Sequence, residues 1–201
     1  MKVSVVGLGY IGLPTSIVLA KSGHDVYGFD VYETVVEKLS TGKIHIVENN
    51  LQEAYEDVLK SKKFKAYSDL QTAEVYIIAV PTPFKEDHEE KLADLSYVFS
   101  AAEIVAKVLK EGDLVILEST VPPETTKQMT DLLVEKSGLS RDEFYTAHCP
   151  ERVLPGKIMY ELKHNDRVIG AEREESALLA KKLYDTFVKE GTNYITDDIT
   201  A

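Results

Sequence analysis

Residues 3–12 read Val-Ser-Val-Val-Gly-Leu-Gly-Tyr-Ile-Gly, and no other segment of the chain is as informative about its fold. A run of β-branched residues leads directly into a G-x-G-x-x-G pattern and then into an apolar helical stretch. Gly7 permits a tight turn, Gly9 lets the backbone approach a pyrophosphate, and Gly12 lets the helix pack closely on the strand. The unpaired amides at the helix start attract phosphate. The stretch therefore predicts a dinucleotide site.

An acidic residue completes this pattern. The second predicted strand ends at Asp30, where a carboxylate can accept hydrogen bonds from the adenosine ribose and repel a 2′-phosphate. This position favours NAD over NADP. Two alternatives remain open on these residues: Asp30 could cap the next helix, and an S-adenosylmethionine site can use similar glycines and a similar acid.

Strand-like and helix-like segments alternate along the whole chain, which predicts an α/β fold: a Rossmann-type, doubly wound parallel sheet with helices on both faces, forming one domain over residues 1–201. The predicted strands are Val3–Val6, Asp25–Phe29, Phe64–Tyr67, Val75–Val80, Leu114–Leu117, Phe144–Ala147 and Arg167–Ile169. The predicted helices are Ile11–Ser22, Thr34–Ser40, Leu51–Ser61, Leu95–Leu109, Thr125–Lys136 and Glu174–Lys189. Residues 81–93 are polar, and we expect a solvated loop there or a flap over the cofactor.

Composition excludes several classes of function. The formal net charge of −11 argues against binding to nucleic acid, which needs clustered Lys and Arg. No stretch approaches the ~20 apolar residues of a membrane span. The single cysteine, Cys149, cannot form an internal disulfide, and no pair of His or Cys residues has metal-ligand spacing. We therefore expect a cytoplasmic protein without a metal.

Three further motifs indicate a family: Val-Pro-Thr-Pro at 80–83, Glu-Ser-Thr-Val-Pro-Pro at 118–123 and His-Cys-Pro-Glu-Arg-Val-Leu-Pro-Gly-Lys at 148–157. Together with the glycine pattern, they make the chain resemble the UDP-glucose/GDP-mannose dehydrogenase family over essentially its whole length. The third motif and Asn-Asp-Arg-Val-Ile-Gly at 165–170 are most similar to the branch that acts on UDP-N-acetyl-D-mannosamine.

The resemblance implies roles for individual residues. Those implied to bind NAD are Gly7, Gly9, Tyr10, Ile11, Gly12, Asp30, Thr82 and Thr120. Thr120 is also implied to help to position a catalytic water, and Glu151 to act as the acid/base. Arg152, Val153 and Lys157 are implied to lie along the nucleotide sugar. Two simpler readings stay open: the threonines could only cap helices within rigid turns, and Glu151 could belong to a surface salt bridge.

The resemblance also implies that the chain is the N-terminal half of a larger, homodimeric enzyme. The central helix and the C-terminal substrate domain, with the catalytic Cys and Lys, would lie outside it. That enzyme would oxidise a sugar C6 alcohol to a carboxylate in two hydride transfers to NAD. UDP-N-acetyl-D-mannosamine is the first choice of substrate, followed by UDP-glucose and GDP-mannose. The rival hypotheses are a stand-alone NAD-binding regulatory module and a hydroxyacid dehydrogenase.

Two details complete the sequence-based expectations. His148 and Cys149 look like a nucleophile pair, but adjacent side chains on an extended segment point to opposite faces, so we expect no such role. The chain has Glu124 and Asn50 where the resemblance leads us to expect Gly, and we expect both changes to be neutral, with Asn50 capping a helix.

Overall fold

The computed structural model describes residues 1–85, 91–197 and 201, and contains eight strands and seven helices within them. The strands are β1 (Lys2–Val6), β2 (Asp25–Phe29), β3 (Phe64–Tyr67), β4 (Val75–Ile78), β5 (Leu114–Leu117), β6 (Tyr145–His148), β7 (Arg167–Gly170) and β8 (Asn193–Thr196). The helices are α1 (Gly12–Lys21), α2 (Glu33–Ser40), α3 (Leu51–Ser61), α4 (Ser96–Ala106), α5 (Thr125–Ser137), α6 (Ile158–His164) and α7 (Glu174–Tyr184).

All strands form one sheet in the order β3-β2-β1-β4-β5-β6-β7-β8. The first six are parallel, and the order reverses at β1, which lies between β2 and β4. In a doubly wound sheet this reversal opens a crevice at the carboxyl ends of the strands, where ligands bind. The predicted α/β class is therefore confirmed.

Two apolar layers cover the sheet, because successive strand residues point to opposite faces. Val3 and Val5 of β1 belong to the layer that contains residues of α1, α3 and α7. Val6, next along the same strand, belongs to the layer formed with α4 and α5. Helices thus cover both faces, and near-continuous apolar strands such as β5 are buried on both sides.

The sheet departs from the expected all-parallel arrangement at β7. This strand pairs antiparallel with β6 through His148 and Gly170, and β8 then pairs parallel with β7. Because an antiparallel neighbour begins at the edge where the previous strand ended, residues 149–166 stay at the carboxyl edge of the sheet. The prediction missed the short elements α6 and β8 on this side, and it extended α7 to Lys189 although the helix ends at Tyr184.

Both departures from the family pattern lie in left-handed backbone, a conformation that the expectation of neutrality did not take into account. Glu124 has φ 67° immediately before α5, and Asn50 has φ 60° immediately before α3. The Asn50 side chain makes no capping hydrogen bond. Glycine adopts this conformation without the Cβ clash that other residues suffer, and asparagine tolerates it better than glutamate does.

The loop expected at 81–93 is only partly described, since residues 86–90 lie outside the described part of the chain. At its base Phe84 and Ala93 form an isolated antiparallel bridge. Among the described residues, no helix combines the length and apolar character that crossing a membrane requires.

Candidate functional site

The three glycines of the fingerprint have different surroundings. Gly7 has φ 92°, and a Cβ there would lie 2.8 Å from the Ala79 carbonyl oxygen. A Cβ on Gly12 would lie 1.8 Å from the Gly7 carbonyl oxygen. A Cβ on Gly9, in contrast, would meet nothing within 4 Å. Gly7 and Gly12 are therefore required by close backbone packing, whereas Gly9 leaves open space next to the helix start, as a bound pyrophosphate needs.

The Asp30 carboxylate is buried at the carboxyl end of β2 with both oxygens held by main-chain amides. Oδ2 accepts from the Leu8 N–H and Oδ1 from the Tyr32 N–H, each at 2.9 Å. The first bond ties the acid directly to the glycine turn. Asp30 is not the N-cap of α2, which is Tyr32, so the helix-capping alternative fails.

A cavity of about 460 Å³ opens at this edge of the sheet, and Gly7, Gly9 and Asp30 all line it. The rest of its wall is mainly apolar, and includes Phe29, Tyr32, Val35, Val80, Tyr97 and Ile104. A mostly apolar cleft with a few convergent polar groups is typical of a cofactor site. Of the residues expected to bind NAD, Tyr10, Ile11, Gly12, Thr82 and Thr120 do not line this cavity.

His45 also lines the cavity, and no motif or spacing in the sequence predicted it there. Its Nδ1 is buried without a hydrogen-bond partner among the described residues. Burial lowers the pKa of this imidazole, against the opposing effect of Asp30, so the ring is neutral near pH 7. Residues 41–50 lack a regular apolar pattern, and only the tertiary fold brings this segment to the cavity.

Thr82 and Thr120 lie in two turns that follow neighbouring strands. The Thr82 hydroxyl donates to the Thr120 carbonyl at 2.8 Å, and the Ser119 hydroxyl donates to the Val80 carbonyl at 2.7 Å. These bonds tie the turns after β4 and β5 together. Because β4 and β5 run parallel to β1, both turns lie at the same sheet edge as the glycine turn.

Glu151 follows β6 at that edge. Its N–H donates to the Glu118 carbonyl at 3.2 Å, and its side chain is only 5% exposed. One carboxylate oxygen accepts from the Arg152 N–H at 2.8 Å, and the other pairs with the Arg167 guanidinium. The ion pair considered from the sequence therefore exists, but it is buried and not on the surface.

Beneath Glu151 lies a second buried carboxylate, Glu118, with its oxygen Oε1 3.5 Å from Arg167. Burial raises the pKa of Glu118 to about 7, although Arg167 opposes the shift. Glu118 and Arg167 both lie in motifs quoted from the sequence, yet no role was predicted for either residue. The available signal was a charge directly beside an apolar strand: Glu118 follows β5, and Arg167 begins β7.

Cys149 is fully buried next to this ion pair, with its Sγ 3.8 Å from an Arg167 nitrogen. Burial raises the pKa of the thiol to about 11, so it is protonated at neutral pH. The His148 ring nitrogen Nδ1 lies 3.0 Å from the Leu117 carbonyl oxygen. A nucleophile needs the thiolate and access to a ligand, and both observations argue against this role.

The segment expected to contact the nucleotide sugar runs from Arg152 to Lys157. Arg152 and Lys157 are exposed, whereas Val153 packs partly against the core. Among the described residues, no group of His, Cys, Asp or Glu side chains could hold a metal ion.

Glu48 connects this segment to the glycine turn. Its carboxylate accepts from the Tyr10 hydroxyl at 2.9 Å, from the Gly156 N–H at 2.8 Å and from the Ile158 N–H at 3.3 Å. The neighbouring Asn49 amide donates to the Gly156 carbonyl at 2.9 Å. Tyr10 is thus placed by Glu48, away from the cavity.

Comparison with known proteins agrees with this geometry. Residues 1–188 match the NAD binding domain of the UDP-glucose/GDP-mannose dehydrogenase family. The chain belongs to this family. Its cofactor is accordingly NAD, and its glycine turn, Asp30 and cavity are the parts of the structure that fit a dinucleotide.

Individual relatives narrow the resemblance. The chain is 46% identical, over its whole length and 45% of the relative, to UDP-N-acetyl-D-mannosamine dehydrogenase from Methanococcus maripaludis. It is 42% identical, over 99% of its length and 48% of the relative, to NDP-N-acetyl-D-galactosaminuronic acid dehydrogenase from Ralstonia nicotianae. The solved structure of UDP-D-ManNAc dehydrogenase from Pyrococcus horikoshii superimposes with a TM-score of 0.94 at 45% identity, covering 100% of this chain and 48% of that one. The chain thus spans about half the length of these family members.

Proposed function

We propose that the chain forms the NAD-binding half of a nucleotide-sugar 6-dehydrogenase that converts UDP-N-acetyl-D-mannosamine to UDP-N-acetyl-D-mannosaminuronate. The observation that carries the proposal is the shared location of the glycine turn, Asp30, the two threonine turns and Glu151. All of them follow parallel strands, so they converge on one edge of the sheet. The names of the relatives favour the N-acetylmannosamine sugar over UDP-glucose and GDP-mannose.

A dinucleotide held here would supply the hydride acceptor, and oxidation of the sugar C6 alcohol to a carboxylate would consume two NAD molecules, one for each hydride. The chain's own residues bind and orient the dinucleotide: Asp30 accepts from the ribose hydroxyls, and the main-chain amides at Gly9, Tyr10 and Ile11 face the pyrophosphate. Thr82 and Thr120 contact the dinucleotide at the neighbouring turns. Arg152 and Lys157, both cationic, pair with the phosphates of the nucleotide sugar, and Val153 contributes through its main chain.

Glu151 is the acid/base in the same proposal, exchanging protons with the oxygen at the reacting carbon through its carboxylate. Thr120 orients the water that supplies the second carboxylate oxygen of the product. A C-terminal half of the kind the relatives carry provides the remaining substrate contacts, and the homodimer and a cytoplasmic location belong to this proposal as well.

The test of the substrate is NADH formation by the complete enzyme, meaning this chain joined to such a C-terminal half. UDP-N-acetyl-D-mannosamine, UDP-glucose and GDP-mannose are compared by kcat/KM. We expect the first to exceed the others by about tenfold or more, since a missing contact to a buried polar group costs more than ~1.4 kcal/mol. A higher kcat/KM for either of the others would overturn the substrate assignment.

The test of the acid/base is Glu151→Gln in the complete enzyme, which keeps the shape but cannot exchange a proton. We expect kcat to fall by ~10²–10⁴-fold with little change in the Kd for NAD. Thr120→Ala should slow release of the acid and also weaken NAD binding. Glu135→Gln, at an exposed position on α5, is the control. Near-parental turnover in Glu151→Gln would contradict the acid/base role and would mean that Glu151 only forms a structural ion pair.

A further inference from the structure

The buried charges beneath Glu151 are not balanced. Arg167 is the cation, with a side chain 4% exposed, and it faces two carboxylates, Glu118 at 0% and Glu151 at 5% exposure. A buried cluster with a net negative charge is unstable, because burial removes the water that would stabilise the excess charge. Two ionised carboxylates and one guanidinium would leave such an excess. The cluster therefore holds one proton.

The guanidinium is itself held in place by the helix beside it. Its central carbon lies 4.7 Å from the centre of the Tyr184 ring and 5.4 Å from that of Phe187. These aromatic residues lie at and just beyond the end of α7, and both are buried. Arg167 can therefore keep its direct pair with Glu151 at the sheet edge while remaining out of solvent.

Glu118 is the carboxyl group placed to keep the proton. It is the more deeply buried of the two and the farther from the guanidinium. Besides Arg167, the groups that face it are Glu151 from the turn after β6, Cys149 at the end of β6, Tyr184 from α7 and Thr15 from α1. The hydroxyl groups of Thr15 and Tyr184 bond its two oxygens at 3.1 and 3.3 Å. A hydroxyl can serve either a carboxylate or a carboxylic acid, so both forms of Glu118 are accommodated.

We propose that Arg167 and Glu118 are positioning residues for Glu151. Arg167 holds the Glu151 carboxylate at the carboxyl edge of the sheet, and Glu118 carries the proton that keeps the cluster neutral while Glu151 is ionised. A proton that passes from Glu118 to Glu151 leaves Glu118 ionised and Glu151 neutral, so that the cluster still holds one proton and no net charge. The catalytic meaning of this arrangement rests on the proposed function, but the arrangement itself does not.

The direct test uses the 201-residue chain without any substrate. Carbon-13 labelling of the glutamate carboxyl groups allows NMR titration from pH 5 to 9, with resonances assigned by Glu118→Gln and Glu151→Gln. We expect the Glu118 resonance to titrate near neutral pH, and the chemical shift of the neighbouring Glu151 carboxyl to show an inflection over the same range. Glu118→Gln should abolish this inflection, because the coupled proton is gone.

Arg167 is tested with Arg167→Lys and Arg167→Met. Methionine removes the charge, so the Glu151 resonance should move away from its parental position. Lysine keeps the charge, so in the lysine variant the resonance should move by a smaller amount. Should the methionine variant not fold, the lysine variant and Glu118→Gln still decide the result. A Glu118 resonance that shows no titration between pH 5 and 9, or a Glu151 resonance unchanged in both variants, would overturn the proposal.

A second measurement distinguishes this proposal from the proposed function. In the complete enzyme, Glu118→Gln should flatten the pH dependence of kcat near pH 7 while leaving the KM for NAD within about twofold. If the coupled titration is observed but the complete enzyme has no dehydrogenase activity, the proposal for the cluster is supported and the proposed function is contradicted. If the complete enzyme is active and Glu118→Gln leaves its pH profile unchanged, the positioning role of Glu118 is contradicted and the proposed function is not.

Discussion

Asp30 holds two main-chain amides, at Leu8 and Tyr32, and presents its charge to the same cavity as the glycine turn. A 2′-phosphate on the ribose would lie beside this carboxylate, and adjacent like charges cost on the order of several kcal/mol. We therefore expect NAD to bind about tenfold or more tightly than NADP in calorimetric titrations. Asp30→Ala should reduce the difference between the Kd values for NAD and NADP. Asp30→Asn, which keeps an acceptor for one amide, controls for local unfolding. Equal or tighter NADP binding by the parent chain contradicts this assignment.

Glu124 carries backbone strain that glycine would relieve. A non-glycine residue in left-handed conformation costs ~1–2 kcal/mol, which glycine would relieve. Glycine also increases the conformational entropy of the unfolded chain, and this offsets part of the gain in stability. Glu124→Gly should therefore raise the free energy of unfolding by about 0.5–1 kcal/mol in urea denaturation. Glu135→Gly, inside α5 and at an ordinary φ, should lower the free energy of unfolding. A Glu124→Gly variant no more stable than the parent would show that the turn relaxes around the side chain.

Glu118 should also leave a signature in stability against pH. Its pKa in the folded chain is about 7 against an ordinary 4.5, so folding favours the protonated acid. This contribution is fully present below about pH 4.5 and is lost as the pH rises through 7. The free energy of unfolding of the parent minus that of Glu118→Gln should fall across this range, by at most about 3 kcal/mol. Urea denaturation at several pH values measures it, and a difference that is flat or rises with pH contradicts the assignment.

Among the elements, the loop between α2 and α3 has an unexpected structural role. Glu48 joins the glycine turn at Tyr10 to the start of α6 at Gly156 and Ile158, so one side chain links the cofactor loop to the proposed substrate segment. Burial raises the pKa of Glu48, but the hydrogen bonds it accepts outweigh this and lower it, which keeps the carboxylate ionised. The two segments are therefore expected to move together.

Glu48→Ala removes these accepted hydrogen bonds at once. Because the site is partly exposed, we expect a loss of about 1–2 kcal/mol in the free energy of unfolding. NAD affinity should fall by a few fold, on the order of 1 kcal/mol, as the glycine turn loosens. Glu53→Ala, an exposed glutamate on α3, is the matched control. Identical denaturation curves and Kd values for Glu48→Ala and Glu53→Ala would exclude the connection.

For the molecule as a whole, binding and turnover should separate. The described residues form a cavity lined by the glycine turn and Asp30, so the 201-residue chain should bind NAD. The catalytic Cys and Lys implied by the family resemblance have no counterpart among its assigned residues, and Cys149 is a buried thiol. We expect no NADH from any nucleotide sugar, monitored by absorbance at high protein concentration. Turnover that disappears in Cys149→Ser would show that Cys149 is a nucleophile after all.

Much of this protein follows from its sequence because the relevant signals are local. The glycine turn needs glycines at fixed spacing, since the backbone at Gly7 and Gly12 leaves no room for a Cβ. The apolar runs of β1, β4 and β5 predict buried parallel strands, since a strand covered on both faces cannot alternate with polar residues. These signals were sufficient for the α/β class and the order of its main elements, and they also predict the dinucleotide site with Asp30.

The contacts between charges that are distant in the sequence follow from the three-dimensional fold. Glu118 and Arg167 become partners because β7 turns back antiparallel beside β6, and nothing near either residue in the sequence specifies that direction. Glu48 reaches Gly156 across 108 positions of the chain. In each case the stabilising energy comes from burial and long-range contacts, which the local sequence pattern does not record.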